Sequence, residues 1–191
     1  MDSVAKVLYD PVGYYRPWRK AAGRLTPSKR SALNHYLLGH YALPDYSEPT
    51  GTQALLAHRI VNHWDVLPLA AYLVACAKWR SQFVSSRAYL RESPVVHAFL
   101  QMGFHEVPAI PAPGVDAVEA WVAHGGRYIN QGLLAMLPDW LSARLSLIFM
   151  SSHQEHRPID VALDESFDAT CFWSALTYAS SHRELSDSLC G

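Results

Sequence analysis

Cysteine, charge and long apolar runs are all scarce in this chain. Its 191 residues contain three cysteines, Cys76, Cys171 and Cys190, with no Cys-x-x-Cys spacing. An odd, unpatterned set excludes a disulfide framework and fits ordinary thiols in a reducing compartment. Charged residues make up 17% of the chain, below the roughly 25% usual for soluble domains. With 50% hydrophobic residues, such a composition excludes disorder, a polar coiled coil and a fibre. The most apolar stretch, 67–77, is interrupted by Pro68 and followed by Lys78 and Arg80, too short to cross a bilayer. Met1 is followed by Asp2 rather than an apolar run, so no signal peptide is expected and the location should be cytosolic.

Motifs for chemistry are missing as well. The chain has no Gly-x-Ser-x-Gly elbow and no glycine-rich phosphate loop, which removes the common nucleophile and nucleotide signatures. Ten histidines raise a metal reading. His58 and His63, however, are five residues apart and fall roughly 140° apart around a helix. His153 and His156 flank Gln154-Glu155 before Pro158, with no third or fourth ligand at a set spacing, so a solvated loop is favoured over a metal site. Cys76 lies on an apolar face and reads as an inert buried thiol. Asp164 and Asp168, one turn apart, read as acids at a helix start. No catalytic residue, metal or cofactor is expected. A small His-rich, metal-dependent enzyme and a secretion chaperone are the competing classes.

Aromatic residues are abundant, with six Trp and ten Tyr. Charge is unevenly spread: residues 1–100 hold 12 Lys/Arg against 6 Asp/Glu, and residues 101–191 hold 4 against 11, which gives the net −1. Arg16, Arg19, Lys20, Arg24, Lys29 and Arg30 fall within fifteen residues that contain no acid. They are interleaved with Tyr9, Tyr14, Tyr15 and Trp18, a combination suited to an acidic protein surface. No RNP, zinc-finger or Gly-rich basic motif accompanies them, so nucleic acid is not an expected partner.

The pattern predicts an all-α fold, because no alternating strand pattern extends beyond a few residues. A single helical domain over 1–191 is expected, compact and irregular, with a lobe boundary near the prolines of 104–114. Residues 1–25 read as an extended aromatic and basic arm, since Pro11 and Pro17 oppose a regular helix. Thr26-Pro27 predicts a helix start and 42–51 a loop, with Thr52 opening a second helix. Asp65 is read as the N-cap of a long helix to Ser85, with one apolar face on Leu69, Leu73, Cys76 and Phe83. Ser93-Pro94 predicts another start and Gly103 its end. Gly125-Gly126 should kink or stop a helix that begins near 115. A helix is expected over 138–149, and Asp160 or Asp164 should cap the last one.

Two stretches carry a family resemblance. Tyr9-Asp10-Pro11-Val12-Gly13-Tyr14-Tyr15-Arg16-Pro17 resembles an aromatic-Asp-Pro-x-x-Tyr-x-x-Pro opening. Residues 64–80, WDVLPLAAYLVACAKWR, resemble Trp-x-x-Leu-Pro-x-x-Ala-Tyr-Leu-x-x-Cys-x-Lys-x-Arg. Weaker similarity follows at 98–102 and 137–141. Together they resemble the OrgA/MxiK (SctK) family of bacterial type III secretion proteins.

The resemblance implies a non-enzymatic, helical adaptor in the cytosolic sorting platform of the injectisome. It would bridge the cytoplasmic domain of the inner-membrane ring protein to the pod protein, without inserting in the membrane. On this reading Tyr9, Asp10, Tyr14, Arg16, Trp18, Arg19 and Lys20 are candidate partner contacts, as are Tyr72, Lys78 and Arg80, which are placed to reach a surface. Pro11, Pro17, Trp64, Leu67, Pro68, Leu73 and Cys76 are the structural positions of the two motifs.

Overall fold

A computed structural model of the chain describes residues 3–87, 89–107, 118–150 and 167–185. The described residues form ten α-helices and no strand: α1 Ser3–Tyr9, α2 Arg16–Ala22, α3 Pro27–His40, α4 Gly51–Asn62, α5 Leu67–Lys78, α6 Arg80–Val84, α7 Pro94–Leu100, α8 Val118–Leu133, α9 Asp139–Phe149 and α10 Ala169–Ser181. Single 3₁₀ turns precede α2 at Pro11–Gly13, α5 at Trp64–Val66 and α7 at Tyr89–Arg91. The fold is all-α, as the pattern predicts.

α5 is the axis of the molecule. All twelve of its residues are buried, because α8, α10 and α7 pack around it. A helix covered on every side needs apolar residues all round rather than one stripe, which its sequence LPLAAYLVACAK supplies. The single apolar face expected over 65–85 is therefore corrected to a full cylinder. The expected length is corrected too. Pro68 sits in the first turn, and Asp65 is no cap but part of the 3₁₀ turn, paired with Lys6 at 3.1 Å. At the other end the Val107 amide donates to the Lys78 carbonyl at 2.8 Å, and the helix breaks at Trp79 before α6.

α8 runs unbroken through Gly125-Gly126, where the sequence predicts a kink or stop. The glycines serve close approach instead. A Cβ on Gly125 would lie 1.8 Å from the Ala71 carbonyl oxygen of α5, and one on Gly126 would lie 2.1 Å from Cγ of Phe149. At these two positions α8 approaches α5 and α9 more closely than any side chain would allow.

The expected extended arm is likewise corrected. Residues 3–22 are two short helices joined by a 3₁₀ turn. Pro11 opens that turn and Pro17 stands in the first turn of α2, positions where a missing amide proton removes no helical bond. Val7, Leu8, Val12, Tyr14 and Tyr15 of this region join the same hydrophobic core as α5 and α8–α10. The last helix is capped by Asp168, whose carboxylate accepts from the Cys171 amide at 2.9 Å. Asp160, Asp164, His153, His156 and Cys190 lie outside the described residues, as does most of 104–114.

Candidate interaction surfaces

Three buried polar arrangements hold the helices in place and remove several candidate contacts from the surface. Lys78, at the end of α5, is 2% exposed and donates to Asp168 at 3.1 Å. Asp168 caps α10, and its backbone amide donates to the Tyr128 hydroxyl of α8 at 2.7 Å. Burial pushes the Asp168 carboxyl upward, but the Cys171 amide and Lys78 outweigh it and hold the group below its usual range. Asp168 thus ties the three central helices together, by its ion pair to α5, its cap on α10 and its amide hydrogen bond to α8. The expectation that Lys78 reaches a surface fails for that reason.

Tyr72 is corrected in the same way. It is fully buried, and its hydroxyl donates to Glu92 ahead of α7. Burial raises the Tyr72 hydroxyl, with Cys76 and Glu92 adding to the shift. Burial also raises the Cys76 thiol well above its usual value, so it is held as an unreactive SH. Arg144 of α9 is the third anchor. It is 3% exposed and donates to the carbonyls of Pro44 at 2.8 Å, Trp140 at 2.9 Å and Leu8 at 3.3 Å. Trp140 adds a bond from Nε1 to the Ser47 carbonyl at 3.0 Å. The segment between α3 and α4 is thereby strapped onto α9, a link with no local sequence signal.

Within the first motif the residues divide between inside and outside. Tyr14 is buried, donates to the Val7 carbonyl at 2.9 Å and meets Trp64 edge-on at 5.3 Å. Asp10 accepts Arg30 in a fork at 2.8 and 2.5 Å and Asn34 at 3.0 Å. Burial alone would raise its carboxyl, yet the Arg30 and Asn34 donors lower it. Asp10 and Tyr14 are therefore committed to fixing α1 against α3 and the core. Trp64, Leu67, Pro68, Leu73 and Cys76 are all buried, as is Pro11, whereas Pro17 is exposed.

Solvent-facing candidates remain on α1, α2 and α6. Tyr9 is 61% exposed and Trp18 38%, while Arg19 and Arg80 are half-buried. Arg16 and Lys20 belong to α2, with side chains outside those described. The structure adds neighbours that the motif omits. Arg24 and Lys29 are exposed, and Arg19, Arg24 and Lys29 have no ion-pair partner among the described residues. Tyr36 of α3 is 56% exposed and stacks on His40. An open groove of about 580 Å³ runs between the end of α1 and α3, with Tyr9, Pro27 and Leu38 among its walls. The run of basic residues at 16–30 was the signal available for this corner, and the fold extends it along α3.

Among the described residues, no group of three or more His, Cys, Asp or Glu is arranged to hold a metal. No single helix there is long and apolar enough to cross a membrane. His58 contacts Asn62, and His63 bonds the Arg59 carbonyl at 2.8 Å; the two histidines are not brought together. His124 is pulled down to about 4 by burial and by Arg127, so it is neutral near pH 7.

These features describe a helical scaffold with its reactive groups inside and a basic, aromatic corner outside. Comparison of the whole chain gives its class: residues 4–181 match the family described as bacterial type III secretion apparatus protein. The chain belongs to that family, OrgA_MxiK. It is similar to the oxygen-regulated invasion protein OrgA of three Salmonella typhimurium strains, in each case 26% identical over 147 residues, which cover 75% of this chain and 72% of the relative. No solved structure matches it significantly.

Proposed function

We propose that this protein is a non-enzymatic adaptor of the injectisome's cytosolic sorting platform. It links the cytoplasmic domain of the inner-membrane ring protein to the pod protein, at the cytosolic face of the inner membrane, and protein secretion depends on the link. The match of residues 4–181 to a secretion-apparatus family carries this reading. The interior supports it: Cys76, Tyr72 and Lys78 are sealed in the core, so the motif that looks richest in chemistry serves architecture. Partner contacts then fall to outward-facing residues, with Tyr9, Trp18, Arg19 and Arg80 first among the motif positions and Arg16 and Lys20 on the same helix as Trp18. The test is pairwise co-purification of the full chain with the ring protein's cytoplasmic domain and with the pod protein. Retention of each partner separately is the expected outcome. Failure to retain either one refutes the bridge.

A further inference from the structure

The geometry points to the corner made by α2 and α3 as the docking site for an acidic segment of a partner protein. The assignment rests on the adaptor reading and gives one of its two contacts a chemistry.

Charge is the first support. From residue 11 to residue 44 there is no Asp or Glu and there are six Lys/Arg. The nearest preceding acid, Asp10, is already matched by Arg30. Arg24 and Lys29 stand exposed, and such uncompensated cations steer and orient an oppositely charged surface.

The second support is α3 itself. Of its fourteen residues only Leu37 is buried. A helix of that length is marginal alone and is held in proteins by what it packs against, yet most of this one faces outward. Lys29 and Tyr36, seven residues apart, share one flank of α3, and the groove walled by Tyr9 and Leu38, which also takes in Pro27, Ser31 and His35, runs along the opposite flank. Exposed Trp18, Tyr9 and Tyr36 supply the residue type that anchors protein interfaces. A segment laid across the exposed crest of α3 at Ser28, Ala32 and Gly39, with carboxylates toward Arg24 and Lys29 and an apolar side chain toward the groove, would reach both flanks. A nucleic acid or anionic bilayer would engage the cations and leave the apolar walls of the groove, Tyr9, Pro27 and Leu38, unmatched.

The experiment places a photo-crosslinking p-benzoylphenylalanine at Ser31, an exposed groove position, and separately at Leu90, 82% exposed on another element. Full-length chains are irradiated in secreting cells and their adducts mapped, with and without the pair Arg24→Glu and Lys29→Glu. Expected is a Ser31-position adduct to a protein segment of net negative charge, reduced roughly fivefold or more by the charge reversal, with unchanged Leu90-position adducts and melting temperature. An adduct to nucleic acid, lipid or an uncharged or basic segment overturns the assignment. So does the absence of an adduct at Ser31, or one that persists at native yield after reversal. An acidic adduct from a protein outside the apparatus keeps the docking site and refutes the adaptor reading.

Discussion

Gly125→Ala sets two physical effects against each other. In a helix interior alanine is favoured over glycine by about 0.8–1.0 kcal/mol, so propensity alone makes the substitution stabilising. The fold requires the opposite. The added Cβ would lie 1.8 Å from the Ala71 carbonyl oxygen and 2.7 Å from the carbonyl carbon. Both atoms belong to the backbone of α5, whose residues are buried throughout, so no rotamer change relieves the clash. α8 must shift off α5 by about an ångström or more, and overpacking of this kind costs about 1–3 kcal/mol, occasionally more. Taking the upper end and subtracting the propensity gain leaves a loss of about 2 kcal/mol. For a chain of this size that corresponds to a fall of about 4–8 °C in Tm, read by far-UV circular dichroism. Gly39→Ala is the control, since nothing lies within 4 Å of its Cβ position and α3 should gain up to about 1 kcal/mol. A Gly125→Ala variant that melts with or above the native chain would refute the packing of α8 on α5.

Leu73, 1% exposed, should cost about 2–5 kcal/mol on truncation to Ala, seen as a lower urea midpoint; an unchanged midpoint would contradict its burial. Asp168→Asn keeps a capping oxygen but leaves the Lys78 charge buried without its carboxylate, a loss of about 3 kcal/mol near neutral pH. Because the fold holds Asp168 below its usual 3.8, its stabilisation is complete above that value and is lost as the pH falls through and below it. The gap between native and variant urea midpoints should therefore shrink from pH 7 to pH 3, and a constant gap would count against the pair. Arg144→Leu orphans the Pro44 and Leu8 carbonyls, at about 3 kcal/mol. Limited proteolysis should then cut within 43–50 faster than in the native chain, and an equal rate would show that Arg144 does not strap that segment down.

Where a signal was local, the sequence was readable. Thr26-Pro27 and Ser93-Pro94 start helices, with the Thr26 and Ser93 hydroxyls each accepting from an amide three residues on. Gly103 takes φ +71° just past α7. Trp140, Leu141, Leu145 and Ile148 are all buried along α9. Misreadings arose where distant residues decide the outcome. Nothing in 125–126 announces the Ala71 backbone, and nothing in 78–79 announces the Val107 amide that helps end α5. The two prolines of the first motif each fit a helical first turn as well as an extended arm, and the burial of Val12 and Tyr15 decides between them. Lys78 misled for another reason. A lysine is rarely buried unless paired, and its partner lies ninety residues away. For the surface, the basic run was legible, whereas the long exposure of α3 depends on how little of it the core covers.

The twelve residues of α5 are sealed on every side, and they lie within the second of the two stretches that carry the family resemblance. That stretch of the resemblance is thus mostly a part no partner can touch. On the proposed adaptor reading, partner choice is left to the outer helices, whose exposed charges and aromatic side chains can change without disturbing the axis. On that reading a chain with this interior can be refitted to a different set of neighbours by resurfacing alone, and exchanging only the exposed residues of α2 and α3 between relatives should transfer a docking preference while leaving the fold intact.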